Sequence, residues 1–208
     1  MLEVKHLTKQ YEDRNAVSDL SFSLTDLERV SVQGESGCGK TTLLKMIAGL
    51  VMPDEGEILM DGKTLSEDPH LRQVSMVFQD SLLWDHMTIE ENILFGSPYK
   101  EKGKRKEQAA FLADILEIGE LLQRYPYQVS GGQARRAAIA RAIACEKRLL
   151  LLDEPFSNLD KEARFRILEK VKKLCEGHSA ILFVTHSRQE AEMLCERHLR
   201  MEEGKLVK

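Results

Sequence analysis

The 208-residue sequence predicts an α/β fold with a helical insertion between two halves of a strand-rich core. Three observations carry this reading. Leu149 to Leu152 and Ala180 to Val184 are continuous apolar runs, the pattern of strands covered on both faces of a parallel sheet. Arg29 to Gln33 reads as a strand that feeds a glycine-rich loop and then a helix. Between about 81 and 145 the composition turns helical.

The elements follow in order. Glu3 to Tyr11 and Ala16 to Leu24 alternate loosely as strands, with Asp13 to Asn15 as the turn between them. Residues 40–50, KTTLLKMIAGL, place Leu43, Leu44, Ile47 and Ala48 at helical spacing, and Gly49 ends the helix. Pro53 to Gly56 reads as a turn, Glu57 to Met60 and Val74 to Phe78 as strands. Thr88 to Phe95, Lys104 to Leu116 and Ser130 to Cys145 are predicted helices, the last with Ile139 and Ile143 four apart. Lys161 to Glu176 is a helix between the two apolar strands, and Leu199 to Lys208 a hairpin turned by Glu203-Gly204. This predicts one domain over 1–208, its core at about 1–80 and 146–208 and a helical subdomain at about 81–145.

Bulk composition narrows the function. A net charge of −4 gives no electrostatic case for a nucleic-acid partner. The basic run Lys100 to Lys106 reads as a solvated loop. Cys38, Cys145, Cys175 and Cys195 are scattered without CxxC spacing, which argues against zinc and a disulfide framework and fits a reducing compartment. The start, MLEVKHLTKQYEDR, has no apolar leader core, and no apolar run approaches the roughly 20 residues that span a bilayer. The expectation is a soluble, cytosolic-type chain; if it serves a membrane, another chain supplies the span.

Three motifs describe one nucleotide site. Gly34-x-x-x-x-Gly39-Lys40-Thr41 follows a strand and opens a helix, the context of a phosphate-binding loop. Over Gly34, Glu35, Ser36, Gly37, Cys38, Gly39, Lys40, Thr41 and Thr42 the glycines let backbone N–H groups face phosphate oxygens, and the helix N-terminus adds positive potential. Lys40 is expected on the β- and γ-phosphates and Thr41 on Mg²⁺. Asp153 ends a buried strand, at the sheet edge where ligands bind, and is the expected Mg²⁺ partner. Glu154 follows, and the alternation of side chains along a strand predicts that it points elsewhere, beside the γ-phosphate, where a carboxylate polarises water. Ser130-Gly131-Gly132-Gln133 is also a capping box. A cap does not explain two glycines in a first turn, each costing roughly 1 kcal/mol against Ala. They suggest close approach to bare N–H groups, an anion site in excess of the phosphate loop and therefore one that serves the nucleotide of a second copy.

With these residues in place the chain resembles the ATP-binding-cassette (ABC) ATPases, the nucleotide-binding subunits of ABC transporters, over essentially its whole length. Ser130 to Gln133 is similar to their signature motif, with Val129 for the usual leucine. Ala134 and Arg135 stand where two glutamines are common, and Arg136 matches the usual arginine. Gln79 after VSMVF matches the glutamine loop, Ser157-Asn158-Leu159-Asp160 the D-loop, His186 the switch histidine and Tyr11 the aromatic that stacks on adenine. Each has a plain alternative: a surface glutamine, a histidine before the capping box Ser187 to Glu190, a tyrosine packed on a neighbouring strand.

The resemblance implies a P-loop NTPase (RecA-like) core with an antiparallel β-subdomain and an inserted α-helical subdomain. It implies two cassettes paired head to tail around two ATP molecules with Mg²⁺. Glu154, His186 and Gln79 would be catalytic, and Thr41, Gln79 and Asp153 would hold the metal. The second copy would supply Ser130, Gly131, Gly132, Gln133 and Asp160. It further implies transmembrane permease subunits, a peripheral place on the cytoplasmic face of the inner membrane and, for an importer, a substrate-binding protein. The stretch 81–100 resembles importers, although Asp85 stands where they often carry proline. There Leu83, Trp84 and Met87 either line a groove for a permease helix or form subdomain core. The chain stops soon after its last strand, so the regulatory C-terminal domain of some sugar-type importers is not expected. Cys38, inside the loop, is expected to block nucleotide binding when alkylated. The competing reading is a soluble ABC ATPase of cofactor assembly or cell division; a P-loop kinase or GTPase has no use for VSGGQ.

Overall fold

A computed structural model describes residues 1–12, 14–157 and 159–207. The chain begins with the antiparallel pair β1 (Leu2–Tyr11) and β2 (Arg14–Leu24). β3 (Arg29–Gln33) leads through the glycine loop into α1 (Lys40–Ala48), and β4 (Glu55–Met60), β5 (Lys63–Thr64) and β6 (Val74–Val77) follow. Three helices come next: α2 (Ile89–Gly96), α3 (Lys102–Ile115) and α4 (Gly131–Ala144). Then come β7 (Leu149–Asp153), α5 (Lys161–Cys175), β8 (Ala180–Val184), α6 (Arg188–Leu194), β9 (Arg197–Glu202) and β10 (Lys205–Val207).

The strands form two sheets. One is antiparallel, in the order β2-β1-β4-β5; the other runs β10-β9-β3-β8-β7-β6 and is parallel except for β10. Strand alternation splits the core in two. Leu149 and Leu151 of β7, with Val30 and Val32 of β3, face a cluster shared with α1 and the antiparallel sheet. Leu150 and Leu152, with Ile181 and Phe183 of β8, face a cluster shared with α2, α3, α4 and α5. The four consecutive leucines are needed because both faces are covered.

The predicted elements hold, with local corrections. Gly56 is not in a turn but inside β4, at φ 84, because a Cβ there would stand 2.4 Å from the carbonyl oxygens of Lys5 and His6 across the sheet. Asn15 is already in β2, paired with Gln10, while Asp13 of the predicted turn and Lys208 of the predicted hairpin lie outside the described residues. The Glu203-Gly204 turn has both residues at positive φ, 45 and 82, the two-residue form that matches strand twist. Ser187 caps a real helix, accepting from the Glu190 N–H at 3.3 Å. Leu83 packs against the helical core cluster. Trp84 instead stacks tilted on the exposed Phe95 at 4.2 Å, with the Arg141 guanidinium 4.8 Å from its ring.

Glu117 ties the helical segment to the sheet's covering helix. It lies just past α3 and accepts Arg166 Nε at 2.7 Å, Arg166 Nη2 at 2.9 Å and Lys170 Nζ at 2.7 Å, all from α5. These hydrogen bonds, Arg166 first and then Lys170, hold its carboxyl down at about 2 against an ordinary 4.5. A lowered carboxylate pKa stabilises the fold above about pH 4.5, and that stability is lost as pH falls towards 2. With the side chain 31% exposed, screening leaves about 1 kcal/mol. Thermal unfolding from pH 7 to 3 is expected to show the wild type losing about that much more than Glu117→Gln; parallel curves would refute it.

Candidate functional site

The glycine loop lies at the carboxyl edge of the parallel sheet, between β3 and α1. Its shape comes from close backbone contacts. A Cβ at Gly34 would meet the Met201 carbonyl oxygen at 2.2 Å; at Gly39, where φ is 108, it would meet the Ala16 carbonyl oxygen at 1.9 Å. The loop is thus clamped between β2 on one side and the β9–β10 hairpin on the other, and Gly204 N–H also donates to the Cys38 carbonyl at 3.0 Å. Inside it the buried Lys40 ammonium donates to the carbonyls of Gly34 at 2.8 Å and Glu35 at 2.7 Å.

In front of the loop lies a cavity of about 400 Å³. Ser36, Gly37, Gly39, Lys40, Thr41 and Thr42 line it, joined by Tyr11, Gln79, Glu154 and His186 from four distant segments. Tyr11 is half-exposed, with Lys9 Nζ 5.7 Å from its ring centroid. A larger groove of about 850 Å³ lies at the opposite edge, near the starts of β6, β7 and β8 at Ser75, Leu150 and Ser179. Open α/β sheets bind ligands at the carboxyl ends of their strands, so the smaller cavity is the candidate site.

The two acidic residues differ sharply. Asp153 is buried behind Thr41, and burial pushes its carboxyl above the ordinary range. The Thr41 hydroxyl pulls the other way, Glu154 pushes with burial, and Lys40 opposes. Glu154 reaches the cavity by a different route from strand alternation. It lies one residue past β7, at φ 44, with its N–H donating to the Val184 carbonyl at 3.0 Å. This left-handed residue turns the side chain out towards His186, whose Nδ1 stands 3.5 Å from Glu154 Oε2. Left-handed backbone is costly for a residue with a Cβ and clusters at functional sites.

Other predicted residues stand elsewhere. Gly34 and Glu35 build the loop from behind. Cys38 is buried in the core cluster on that side, with Lys40 Nζ 3.7 Å from its sulfur, so alkylation requires the loop to open. Ser130, Gly131, Gly132, Gln133 and Asp160 are not in the cavity wall. Ser130 and Gln133 form the reciprocal capping box of α4, at 3.3 Å and 2.8 Å. Gly131 is exposed, with open space where a Cβ would be. Asp160 caps α5 by accepting from Ala163 N–H at 2.9 Å, and Asn158 of the same motif lies outside the described residues. The cavity also contains two residues that motif reasoning missed, Arg14 and Ala16. Arg14 Nη2 donates to the Gly37 carbonyl at 3.2 Å; its only signal in the sequence is a cation in the turn after Tyr11. Arg135 is fully buried and donates to the carbonyl of Phe78, tying the first turns of α4 to the Gln79 loop.

Residues 17–157 match the ABC transporter family. The chain belongs to that family. Its length is 100% covered in an alignment, at 42% identity, with the putrescine transport ATP-binding protein PotG of Escherichia coli. It is 99% covered at 44% identity with the spermidine/putrescine import ATP-binding protein PotA of Chromobacterium violaceum. It is also 99% covered at 41% identity with the sulfate/thiosulfate import ATP-binding protein CysA of Bordetella parapertussis. The chain spans 56%, 58% and 60% of these relatives' own lengths. Among solved structures, a dimeric ATP-binding cassette in a post-hydrolysis state with ADP and Pi superposes at TM-score 0.91 and 30% identity, covering 100% of this chain and 97% of that one. The fold is therefore the ABC cassette, a P-loop core with an antiparallel sheet and a set of inserted helices.

Two alanine substitutions separate strain from clash in the loop. Gly37 has φ 81 and open space, so Gly37→Ala is expected to cost about 1–2 kcal/mol of backbone strain. Gly39→Ala adds collision with the backbone of Ala16 and is expected to cost about 3 kcal/mol or more. Equal denaturation midpoints for the two variants would show that the loop yields freely.

Proposed function

We propose that this chain binds and hydrolyses ATP as the nucleotide-binding subunit of an ABC importer. In this reading it pairs head to tail with a second cassette and drives a separate permease. The observation that carries it is the cavity, where the glycine loop, Tyr11, Gln79, Glu154 and His186 converge on one ligand-sized space. The import names of the polyamine and sulfate relatives support the direction of transport. Among the described residues no helix is long and apolar enough to cross a membrane, so in this reading the permease is another chain.

ATP enters with its base on Tyr11 and its phosphates over the loop N–H groups and the start of α1. Lys40, now held by the carbonyls of Gly34 and Glu35, offers its ammonium to the β- and γ-phosphates. Thr41, Asp153 and Gln79 would hold Mg²⁺, all oxygen donors of the hard type that ion prefers. When bound, Mg²⁺ neutralises charge on the transferring phosphoryl group. Glu154 polarises the attacking water and His186, 3.5 Å away, orients with it on the γ-phosphate side. Ser130, Gly131, Gly132 and Gln133 serve the nucleotide of the second copy. Their separation from the cavity, with Gly131 open to solvent, supports this assignment. Because both copies would hold the γ-phosphate, its loss opens the pair. The exposed Leu82 and Phe95, beside Trp84, fit a surface that takes a permease helix.

Glu154→Gln tests the reading. It is expected to bind ATP, to hydrolyse it at least about 100-fold more slowly and to run as a dimer on size exclusion only with ATP. Turnover near the wild-type rate would remove Glu154 from the role of base.

A further inference from the structure

Arg164 on α5 belongs to no predicted motif, and Glu190 on α6 enters the sequence reading only as the end of the Ser187 capping box, yet they join two parts of the site. Glu190 is a carboxylate only 4% exposed. Its Oε2 accepts the Thr185 hydroxyl at 2.7 Å, and that same Thr185 oxygen accepts the Ser187 N–H at 3.0 Å. Both backbone neighbours of His186 are thereby fixed. The other oxygen, Oε1, faces Arg164 Nη1 at 3.3 Å. Arg164 turns its second nitrogen on the β7–α5 turn, donating to the Leu159 carbonyl at 3.1 Å and the Ser157 carbonyl at 3.4 Å. Ser157 and Leu159 lie in sequence between Glu154 and Asp160.

A buried ion pair of this kind is a poor source of stability, because desolvation offsets its attraction, and an apolar pair of equal volume does as well. What it supplies is geometry: each charge is satisfied only when both turns occupy one relative position. We propose that Glu190 and Arg164 are positioning residues that lock the His186 turn to the backbone at Ser157 and Leu159, so that sensing of the γ-phosphate and the surface offered to the second copy change together. This rests on the ATPase reading above. Neither residue touches the nucleotide; they act through His186, Glu154 and Asp160.

The test is steady-state hydrolysis by the full chain carrying Glu190→Gln, Arg164→Gln or both. Glutamine at 190 keeps an oxygen for Thr185 and removes the charge. Each single change is expected to lower kcat about 10-fold with the KM for ATP within about twofold, since misplacement of a reacting group affects turnover more than binding. The double variant is expected to be no slower than the slower single. The same changes in the Glu154→Gln background are expected to weaken the ATP-dependent dimer. Additive losses near about 100-fold in the double variant, or unchanged kcat with a lowered melting temperature alone, would overturn the proposal. If Glu190→Gln does not fold, Arg164→Lys carries the same comparison, its side chain being the more exposed partner at 27%. A wild-type chain that binds no ATP would remove both readings; one that turns over ATP while the variants behave additively would remove this one alone.

Discussion

A single buried ammonium organises the glycine loop of this molecule. Lys40 is nearly inaccessible, and its charge is met by two carbonyls of its own loop rather than by a carboxylate. An ammonium without partners is expensive to bury, so the loop carbonyls must point inwards. The same contact leaves the lysine held by neutral dipoles, a weaker hold than an ion pair, from which an anion can draw it. Asp153 is buried behind Thr41, and burial pushes its carboxyl above the ordinary range while the Thr41 hydroxyl and Lys40 oppose.

Most of the fold was legible because the signals were local. Four leucines in a row are interpretable as a strand covered on both faces, and Gly49 as a helix stop, whatever the tertiary context. What was missed depends on contacts distant in sequence. Gly56 looked like a turn glycine, yet it serves a close approach of β1. Arg14 carries no motif and enters the cavity only because β2 runs beside the glycine loop. The direction of Glu154 was anticipated, but for another reason. Strand alternation would have sufficed had β7 continued; the actual cause is a left-handed residue just beyond it.

The signature segment shows how one sequence feature holds two meanings together. Ser130 and Gln133 spend their side chains on each other in a capping box, which fixes the start of α4. Arg135 then anchors that start to the carbonyl before Gln79. The cap uses side chains, so the exposed Gly131 keeps open space beside its backbone.

The clamp on the glycine loop has a consequence for the order of events during synthesis. Residues 34–42 emerge early, but β3 pairs only with β8 and β9, and the loop rests on Met201 and Gly204. These partners are more than 145 residues downstream. A nascent chain therefore carries its glycine motif through the synthesis of more than 145 further residues without the walls that shape it, while β3 waits for β8 and β9. Long-range parallel pairing is slow and leaves apolar strands exposed meanwhile. The β9–β10 hairpin, far along the sequence from the glycine loop, thus closes one wall of that loop.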